Sequence, residues 1–385
     1  MSRGDRGAWA DGRIERMAMS GERVSPPVRR CVAEMEEYVP IDTPESLARR
    51  LGLRPDQIVK LDGNENPYGP SPLVALALAQ FDSYHRYPDP WQAETRGLLS
   101  GYIGVPADRL MLGMGSDELI DTLIRVYVEP GDEVIDLPPT FGMYSFSAQL
   151  ADARVVRVER DERFGIDVAA VEAAVTDRTR IIFLASPNNP SGNVATEDQV
   201  RRLLATGRLV VVDEAYAEFS TSTLVPLVAE YPNLVVLRTF SKWAGLAGLR
   251  VGYGIFHDGA IRQMWKVKQP YNLNVAAQVA VRESLRDLDR LMANVRRIVE
   301  ERERLRAGLE SIGFLKVYPS EANFLLCDLL DGSAVDLVGD LASRGIIVRY
   351  FRKPRLLNSI RFSVGLPEHT DLLLEALRDW RTGRR

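Results

Sequence analysis

The chain of 385 residues has few cysteines and histidines and no long apolar run. Its two cysteines, Cys31 and Cys327, cannot form a disulfide framework. The three histidines are not spaced as metal ligands, so we expect no metal site. No apolar run approaches the roughly 18 residues that span a bilayer. These shortages exclude a disulfide mini-protein and predict that the protein does not bind a membrane.

Positive charge is not in excess either, because the chain has 49 basic and 53 acidic side chains and a net charge of −4. Without a basic block the chain lacks the electrostatic footprint of a nucleic-acid-binding protein. The N-terminal segment is charged and has no apolar stretch of signal-peptide length. Together with the low cysteine content, this predicts a cytoplasmic protein that binds no nucleic acid.

A regular rhythm of short apolar runs and helical patterns occupies the middle of the chain. Runs of Val, Ile and Leu without polar alternation are typical of strands buried on both faces. Strands that alternate with helices predict an α/β fold with a mostly parallel seven-stranded sheet flanked by helices. The seven runs are 109–113, 133–137, 154–158, 180–185, 208–213, 233–238 and 251–256.

The two ends of the chain do not show this alternation of strand and helix patterns. Residues 1–25 lack sustained periodicity, which predicts a disordered extension. After residue 275 a long amphipathic segment, 284–313, leads to short strands and a last helix over 370–380, which predicts a smaller α+β domain. The charged stretch 296–310 predicts a solvated helix face. The short strands are expected near 322–328, 346–349 and 359–364.

In an open parallel sheet, ligands bind beyond the carboxyl ends of the strands. The first run is followed by Gly113–Glu118, where glycine admits an anion and a helix start offers N–H donors. Glu118 replaces the third glycine of a dinucleotide fingerprint and no Lys-Ser pair follows, which disfavours an NAD oxidoreductase and a P-loop. The segment indicates either a phosphate site or an ordinary helix capped by Ser116.

Two further strand ends carry polar groups. Asn189 lies in a rigid Pro-rich turn and presents an amide, although such a turn needs no function. Asp213 closes a buried strand, where a carboxylate is costly to ionise unless it meets a cation. Tyr216 follows three residues later, and the alternative for Asp213 is a helix cap.

The most specific signal is the segment Thr239–Arg250, which holds two hydroxyls, one lysine, several glycines and an arginine. Lys242 becomes a nucleophile or a base when its pKa is lowered. Ser241 and Arg250, with the helix start at Ser116, would supply donors to a phosphate monoester. A phosphate cradle, an amide, a carboxylate, a phenol and a lysine together are the groups that pyridoxal phosphate requires.

Eight motifs in one order carry a resemblance. They are KLDGNENPYGPSP (60–72), RYPDP (86–90), GSDE (115–118), PPTFGMY (138–144), SPNNPSG (186–192), VVDEAY (211–216), TFSKWAGLAGLRVGYG (239–254) and SIRFSVG (359–365). In this order the chain resembles the fold-type I, class I and II aminotransferases that use pyridoxal phosphate, and most of all the histidinol-phosphate aminotransferases. The resemblance implies that residues 26–72 form an N-terminal arm and part of the small domain. It also implies a large cofactor-binding domain over 73–275 and a small C-terminal domain over 276–385.

The resemblance implies roles around the cofactor ring. Lys242 would bond to the cofactor aldehyde, and Asp213 would pair with the ring nitrogen. Asn189 and Tyr216 would hydrogen-bond the phenolic oxygen of the ring. Phe141 would stack on the ring at a position where the family commonly has tyrosine, and this change keeps a π face but loses a hydroxyl.

The resemblance also implies how the cofactor phosphate is held. Backbone groups of Ser116 and Asp117, with the side chains of Ser241 and Arg250, would bind it. Tyr87 resembles the tyrosine that reaches the phosphate in the other subunit. The resemblance therefore implies an obligate homodimer with shared active sites.

Four residues would contact the substrate. Arg361 resembles the arginine that grips the acidic end of the substrate, and Arg349 resembles a second cation beside it. Asn64 and Tyr68 would line the mouth of the site from the N-terminal arm. The implied reaction converts histidinol phosphate and 2-oxoglutarate into imidazole-acetol phosphate and glutamate, in histidine biosynthesis.

Three other functions stay open at this point. An aromatic amino-acid aminotransferase is favoured by Phe141 and by the bulky Trp243 beside the lysine. A threonine-phosphate decarboxylase would use the same lysine and arginines. A non-catalytic regulator would carry a DNA-binding module, which neither the acidic balance nor the N-terminal extension supplies.

Overall fold

The structure is a computed structural model that describes residues 26–36 and 42–382. The extension predicted over residues 1–25 lies outside the described residues. The chain divides into two units, Met1–Glu37 and Tyr38–Arg385. The described part of the first unit holds helix α1, Arg30–Ala33. No helix within the described residues is long and apolar enough to cross a membrane.

The second unit contains two sheets with helices around them. Its helices are α2 (Pro44–Leu51), α3 (Pro72–Gln80), α4 (Ala93–Ile103), α5 (Gly115–Tyr127), α6 (Met143–Leu150), α7 (Val168–Ala174), α8 (Glu197–Ala205), α9 (Asp258–Val267), α10 (Val275–Arg286), α11 (Leu288–Ile312), α12 (Ala334–Ser343) and α13 (Pro367–Thr382). Its strands are β1 (Val59–Leu61), β2 (Leu110–Gly113), β3 (Glu133–Asp136), β4 (Arg154–Arg157), β5 (Thr179–Ala185), β6 (Leu209–Asp213), β7 (Leu234–Thr239), β8 (Gly252–Phe256), β9 (Leu315–Val317), β10 (Phe324–Leu329), β11 (Ile346–Tyr350) and β12 (Ser359–Ser363).

The large sheet has seven strands in the order β2-β8-β7-β6-β5-β3-β4. All neighbours pair in parallel except β8, which is antiparallel to both β2 and β7. The central strands are buried along their length, as runs of Val, Ile and Leu require. The predicted α/β fold with a mostly parallel seven-stranded sheet is confirmed. Strands β2, β5, β6 and β7 end at one edge, which is where the site lies.

The small sheet has the order β1-β11-β12-β10-β9. Strand β1 comes from the N-terminal part of the chain and pairs in parallel with β11, whereas the other pairs are antiparallel. Arg349 on β11 lies directly opposite Arg361 on β12. This register brings both arginines to the same face of the small sheet.

The amphipathic segment 284–313 spans the end of α10 and all of α11, which meet at Asp287. One detail differs from the sequence-based expectation. The stretch 296–310 is only partly solvated, since Glu301 and Arg302 are buried. Arg302 donates from Nη1 to the carbonyl oxygens of Phe219 (3.3 Å) and Ala322 (3.1 Å), so it joins α11 to two neighbouring segments.

Candidate active site

Lys242 lies just beyond the end of β7, within the site. Its Nζ donates a hydrogen bond of 3.3 Å to the carbonyl oxygen of Gly63 and lies 5.9 Å from the centre of the Tyr216 ring. Burial lowers the pKa of Lys242 to about 8, and the nearby Arg361 acts in the same direction. An amine with such a pKa is neutral in roughly one molecule in ten at pH 7, far more often than an ordinary lysine, and the neutral form is the one that acts as a nucleophile or base.

Asp213 ends β6 and is buried. Its Oδ2 accepts a hydrogen bond of 2.7 Å from the Tyr144 hydroxyl, and its Oδ1 accepts one of 3.1 Å from the backbone N–H of Ala215. Burial raises the pKa of Asp213 to about 6, while the Tyr144 hydrogen bond opposes the rise. A buried carboxylate held by two donors is suited to a cationic ligand group.

Tyr216 is tied to the N-terminal part of the chain through Asn64. The Asn64 Nδ2 donates 3.0 Å to the Tyr216 hydroxyl, and its Oδ1 accepts 2.7 Å from the Ser363 Oγ. The backbone oxygen of Asn64 accepts 3.0 Å from Asn323. Asn64 is therefore a buried junction between the two sheets, with a left-handed backbone (φ 53°) that asparagine tolerates.

Arg361 and Asn189 form a fixed pair. The Arg361 Nη1 donates 2.6 Å to the Asn189 Oδ1, and Nη2 donates to the carbonyl oxygen of Asp62. Because the amide oxygen of Asn189 is occupied, its NH2 group is the part that can donate to a ligand. The Phe351 ring lies 5.5 Å from the Arg349 guanidinium and 5.7 Å from that of Arg361.

The start of α5 forms a cradle lined by cationic and N–H groups. Gly115 has φ +76°, and a Cβ added there would lie 2.6 Å from the Arg250 Nη2. The same Nη2 donates 2.9 Å to the Asp117 Oδ2. A Cβ added to Gly252 would lie 2.5 Å from the backbone nitrogen of Ser116, so β8 packs closely on this turn. N–H groups in a first helical turn have no intrahelical partner and suit an anion.

The alternative that Ser116 caps this helix is wrong. Helix α5 begins at Gly115, its N-cap residue is Met114, and no side-chain cap bond is made there. The Met114 N–H instead donates 2.6 Å to the Glu118 Oε2. Ser241 is buried near the Lys242 backbone, and its Oγ accepts 3.0 Å from the Thr239 hydroxyl.

Three predicted site residues have the following ring contacts. The Tyr87 ring is 80% exposed and stacks on Tyr271, with centroids 4.4 Å apart. The Tyr68 ring lies 5.8 Å from the Arg297 guanidinium of α11. Phe141 meets Tyr144 edge to face at 5.7 Å. The roles assigned to Tyr87, Tyr68 and Phe141 stay predictions.

Two buried residues without a predicted role lie beside these groups: Tyr144, which bonds to Asp213, and Asn188, which precedes Asn189. Asn188 is fully buried, accepts 2.7 Å from the Thr140 hydroxyl and donates 3.1 Å to the Pro139 carbonyl oxygen. It therefore joins the loop after β3 to the loop after β5. Their positions in the sequence could have indicated both residues, because each follows a buried strand at the edge of the sheet where ligands bind.

Comparison with known proteins identifies the family. The family model for aminotransferase class I and II matches residues 56–377. The chain belongs to the class I and II aminotransferase family. This aminotransferase is 52% identical over 357 residues to the histidinol-phosphate aminotransferase of Roseiflexus castenholzii (strain DSM 13941 / HLO8), covering 90% of this chain and 96% of the relative.

Two further comparisons concern a plant relative and a crystal structure. The chloroplastic histidinol-phosphate aminotransferase 1 of Arabidopsis thaliana is 43% identical to this aminotransferase, covering 92% of this chain and 85% of the plant protein. The crystal structure of the histidinol-phosphate aminotransferase from Sinorhizobium meliloti, in complex with pyridoxal-5'-phosphate, superposes with a TM-score of 0.84. It is 26% identical, and the match covers 95% of this chain and all (100%) of that one.

Proposed function

We propose that this aminotransferase transfers the amino group of histidinol phosphate to 2-oxoglutarate, with pyridoxal 5'-phosphate as cofactor, in histidine biosynthesis. The observation that carries the proposal is the convergence of Lys242, Asp213 and the Gly115 cradle at one edge of the sheet. The relatives named histidinol-phosphate aminotransferase, at 43% and 52% identity over most of the chain, support the substrate.

The residues of the site fit this cofactor. Arg250 and the first turn of α5 would hold its phosphate. Gly115 has no side chain, and this lets the Arg250 guanidinium lie directly against the start of the helix. Asp213 would pair with the ring nitrogen, and Asn189 and Tyr216 would donate to the ring oxygen. When bound, the cofactor supplies an aldehyde and a ring that accepts electrons.

The protein's own groups then manage protons. As a neutral amine, the Lys242 Nζ would take the proton from the substrate Cα and later return one, and its lowered pKa favours this role. The ionised carboxylate of Asp213 would keep the ring nitrogen protonated. The Asn189 oxygen is held by Arg361, so the amide is oriented before any ligand arrives.

The two arginines support a substrate with an anionic end. A guanidinium fork matches a phosphate monoester and a carboxylate equally well. Arg361 and Arg349 face the same side of the small sheet, opposite each other in register. One pocket could therefore take histidinol phosphate and 2-oxoglutarate in turn.

The test is a panel of donors with purified protein. Histidinol phosphate, phenylalanine and threonine phosphate are each supplied with 2-oxoglutarate, and both glutamate and carbon dioxide are measured. We expect glutamate with histidinol phosphate as the preferred donor. Preference for phenylalanine would indicate an aromatic aminotransferase, and carbon dioxide from threonine phosphate without consumption of 2-oxoglutarate would indicate the decarboxylase.

A covalent test addresses the lysine directly. Borohydride reduction of the protein with pyridoxal phosphate should tag the peptide that contains Lys242. Lys242→Ala should give no tag and no turnover while the protein stays folded, as judged by circular dichroism. Normal turnover of that variant would refute the assignment.

We further propose a homodimer with shared sites. Exposed apolar side chains are concentrated in α3 and in the segment after it. Monomeric proteins seldom expose a large apolar patch, so this surface is suited to an interface with a second copy of the chain. The exposed side chains are Leu73, Leu76, Tyr84, Tyr87, Trp91 and Leu98, with Tyr271 stacked on Tyr87. If Tyr87 acts across the interface, mixing Tyr87→Ala with Lys242→Ala subunits should restore activity that neither variant has alone. No restoration in a light-scattering-verified dimer would contradict the sharing.

We also propose a division into an arm and two domains, and a cytoplasmic location for the protein. The large sheet comes from residues 110–256, and the small sheet combines β1 with strands after residue 314, which supports an arm over 26–72, a large domain over 73–275 and a small domain over 276–385. A low cysteine content supports a cytoplasmic location.

A further inference from the structure

Tyr144 is a buried tyrosine that the proposed reaction does not use. It lies in the first turn of α6, and its ring has no exposed surface. Its hydroxyl donates a hydrogen bond of 2.7 Å to the Oδ2 of Asp213. Phe141 and Phe183 pack against its ring, so the hydroxyl is the part of Tyr144 that meets the carboxylate.

The ring of Tyr144 is held in place by two aromatic contacts. It stacks on Phe183 with centroids 4.9 Å apart and an interplanar angle of 2°. Phe141 meets it edge to face at 5.7 Å and 80°. Phe183 lies on β5, which pairs in parallel with the strand that carries Asp213. The hydroxyl is therefore fixed relative to the carboxylate.

The two carboxylates that act most on Asp213 oppose its ionised form. Asp117 and Glu214 both disfavour a further negative charge, and burial does so more strongly. The donors that favour the carboxylate are the Tyr144 hydroxyl and the Ala215 N–H. A hydrogen bond to a charged acceptor is among the stronger ones in proteins. Tyr144 thus supplies a large part of what solvent would otherwise provide.

A buried cation lies behind Tyr144. Arg160 donates to the carbonyl oxygens of Leu137 (3.1 Å) and Ala185 (3.5 Å), at the ends of β3 and β5. Asp136, also buried, lies near both Arg160 and Tyr144. The positive charge of Arg160 and the carboxyl group of Asp136 offset each other. Of these three residues, Tyr144 is the one that hydrogen-bonds to Asp213.

We propose that Tyr144 is a positioning residue that keeps Asp213 ionised and oriented to receive the ring nitrogen of the cofactor. The proposal rests on the proposed function, since the ring nitrogen belongs to pyridoxal phosphate. Tyr144 would touch neither cofactor nor substrate and would act through Asp213.

The test uses Tyr144→Phe, which keeps the ring and its stacking and removes only the hydroxyl. Pyridoxal phosphate is titrated into the cofactor-free full chain at pH values from about 4.5 to 8.5, with visible absorbance as the readout. Wild-type affinity should fall as Asp213 is protonated, near its pKa of about 6. In the variant this fall should occur on the order of one pH unit higher, and kcat should drop about tenfold with little change in KM.

Two controls separate this effect from general damage. Tyr318 donates 2.5 Å to Asp328 in the small sheet, and Tyr318→Phe should leave the pH dependence of cofactor binding unchanged. An analogue of pyridoxal phosphate with carbon in place of the ring nitrogen should bind wild type and Tyr144→Phe with the same pH dependence. A variant that binds pyridoxal phosphate as wild type does, or an equal shift with the analogue, would overturn the proposal.

If Tyr144→Phe does not fold, 3-fluorotyrosine is incorporated at position 144 instead. Its more acidic hydroxyl is a stronger donor and should shift the fall in affinity to lower pH; an unchanged curve would again overturn the proposal. Failure of the proposed function itself would look different, because wild type would then give no borohydride-tagged Lys242.

Discussion

Arg361 and Arg349 are neighbours on the small sheet, but the protein holds them differently. Arg361 is buried and donates to the Asn189 Oδ1 and to the Asp62 carbonyl oxygen, so its fork is oriented by the chain. Arg349 is only partly buried and lies over Phe351. We therefore expect Arg361 to fix the orientation of a substrate and Arg349 to add charge.

The first prediction follows from this difference. In Arg361→Lys the charge remains, but a lysine cannot donate to Asn189, to Asp62 and to a substrate anion in the same geometry. A hydrogen bond to a charged group contributes about 1.5–3 kcal/mol, so kcat/KM should fall roughly tenfold to a hundredfold. Steady-state kinetics with histidinol phosphate measures this loss.

The matched control is Arg352→Lys, at an exposed position three residues beyond Arg349. This variant should keep kcat/KM within about twofold of wild type, because a solvent-exposed charge is retained. Equal losses in both variants would contradict a specific role for the Arg361 fork.

One short segment, residues 62–66, ties the N-terminal part of the chain to the site. Each contact uses a backbone carbonyl or a side-chain amide, which suits a segment that must pair with several side chains at once. The contacts are Asp62 with Arg361, Gly63 with Lys242, Asn64 with Tyr216, and Asn66 with the Trp243 carbonyl oxygen. The segment thus links the lysine, the phenol and the arginine before a ligand is present.

The strands of the large sheet were predictable because their sequences are strong local signals. Runs of Val, Ile and Leu without polar alternation, as in β6 and β7, are typical of strands that are buried on both faces. Their order along the chain also brought Asn189, Asp213 and Lys242 to one edge. Physical rules for parallel sheets were sufficient for that much.

Other features depend on contacts between distant residues, and local sequence carries little sign of them. The Tyr144–Asp213 hydrogen bond spans 69 positions. Glu301 and Arg302 look like a solvated helix face, yet Arg302 is buried because it binds two carbonyl groups of other segments. The short strand β9 has only three residues, which is too few for a periodic pattern to be recognised.

The second prediction concerns the start of α5. In Gly115→Ala the added Cβ meets the Arg250 Nη2 at 2.6 Å and the backbone has φ +76°, so Arg250 must move and the turn is strained. We expect a loss of about 1 kcal/mol in the free energy of unfolding and a weaker affinity for pyridoxal phosphate, by about tenfold. Thermal unfolding and absorbance titration measure the two effects.

Gly207 offers a control for strain alone. It has φ +73°, and a Cβ added there would meet nothing within 4 Å. Gly207→Ala should therefore lose a similar unfolding free energy with unchanged cofactor affinity. If both variants bound the cofactor equally well, the cradle at Gly115 would not be the phosphate site.

The stability of the whole molecule should depend on pH through its buried carboxyl groups. Burial raises the pKa of Glu218 from 4.5 to about 7, and the carboxyl groups of Asp136 and Asp213 are raised to about 6 by the same cause. Glu218 shares one cation with Glu214, since Arg238 lies 2.8 Å from Glu214 and 3.7 Å from Glu218. One guanidinium cannot neutralise two buried carboxylates, so the protonated form of Glu218 is favoured.

The third prediction is that Glu218→Gln removes part of this pH dependence. Below pH 4.5 Glu218 is protonated in both folded and unfolded chains, and its contribution to stability is fully present. Between pH 4.5 and about 7 the unfolded chain loses the proton first, so stability falls as pH rises, by roughly 3 kcal/mol at most. Glutamine keeps an oxygen for the Tyr102 hydroxyl, which donates 3.2 Å to Glu218, but it does not titrate.

The measurement is urea unfolding of both proteins between pH 4 and pH 8. Relative to wild type, Glu218→Gln should gain stability as pH rises through this window and should reach a constant difference above about pH 7. Glu300→Gln, at an exposed position on α11, is the control and should show no such gain. A stability difference between Glu218→Gln and wild type that stays the same at every pH would mean that Glu218 is ionised in the folded protein, and Arg238 would then have to serve both carboxylates.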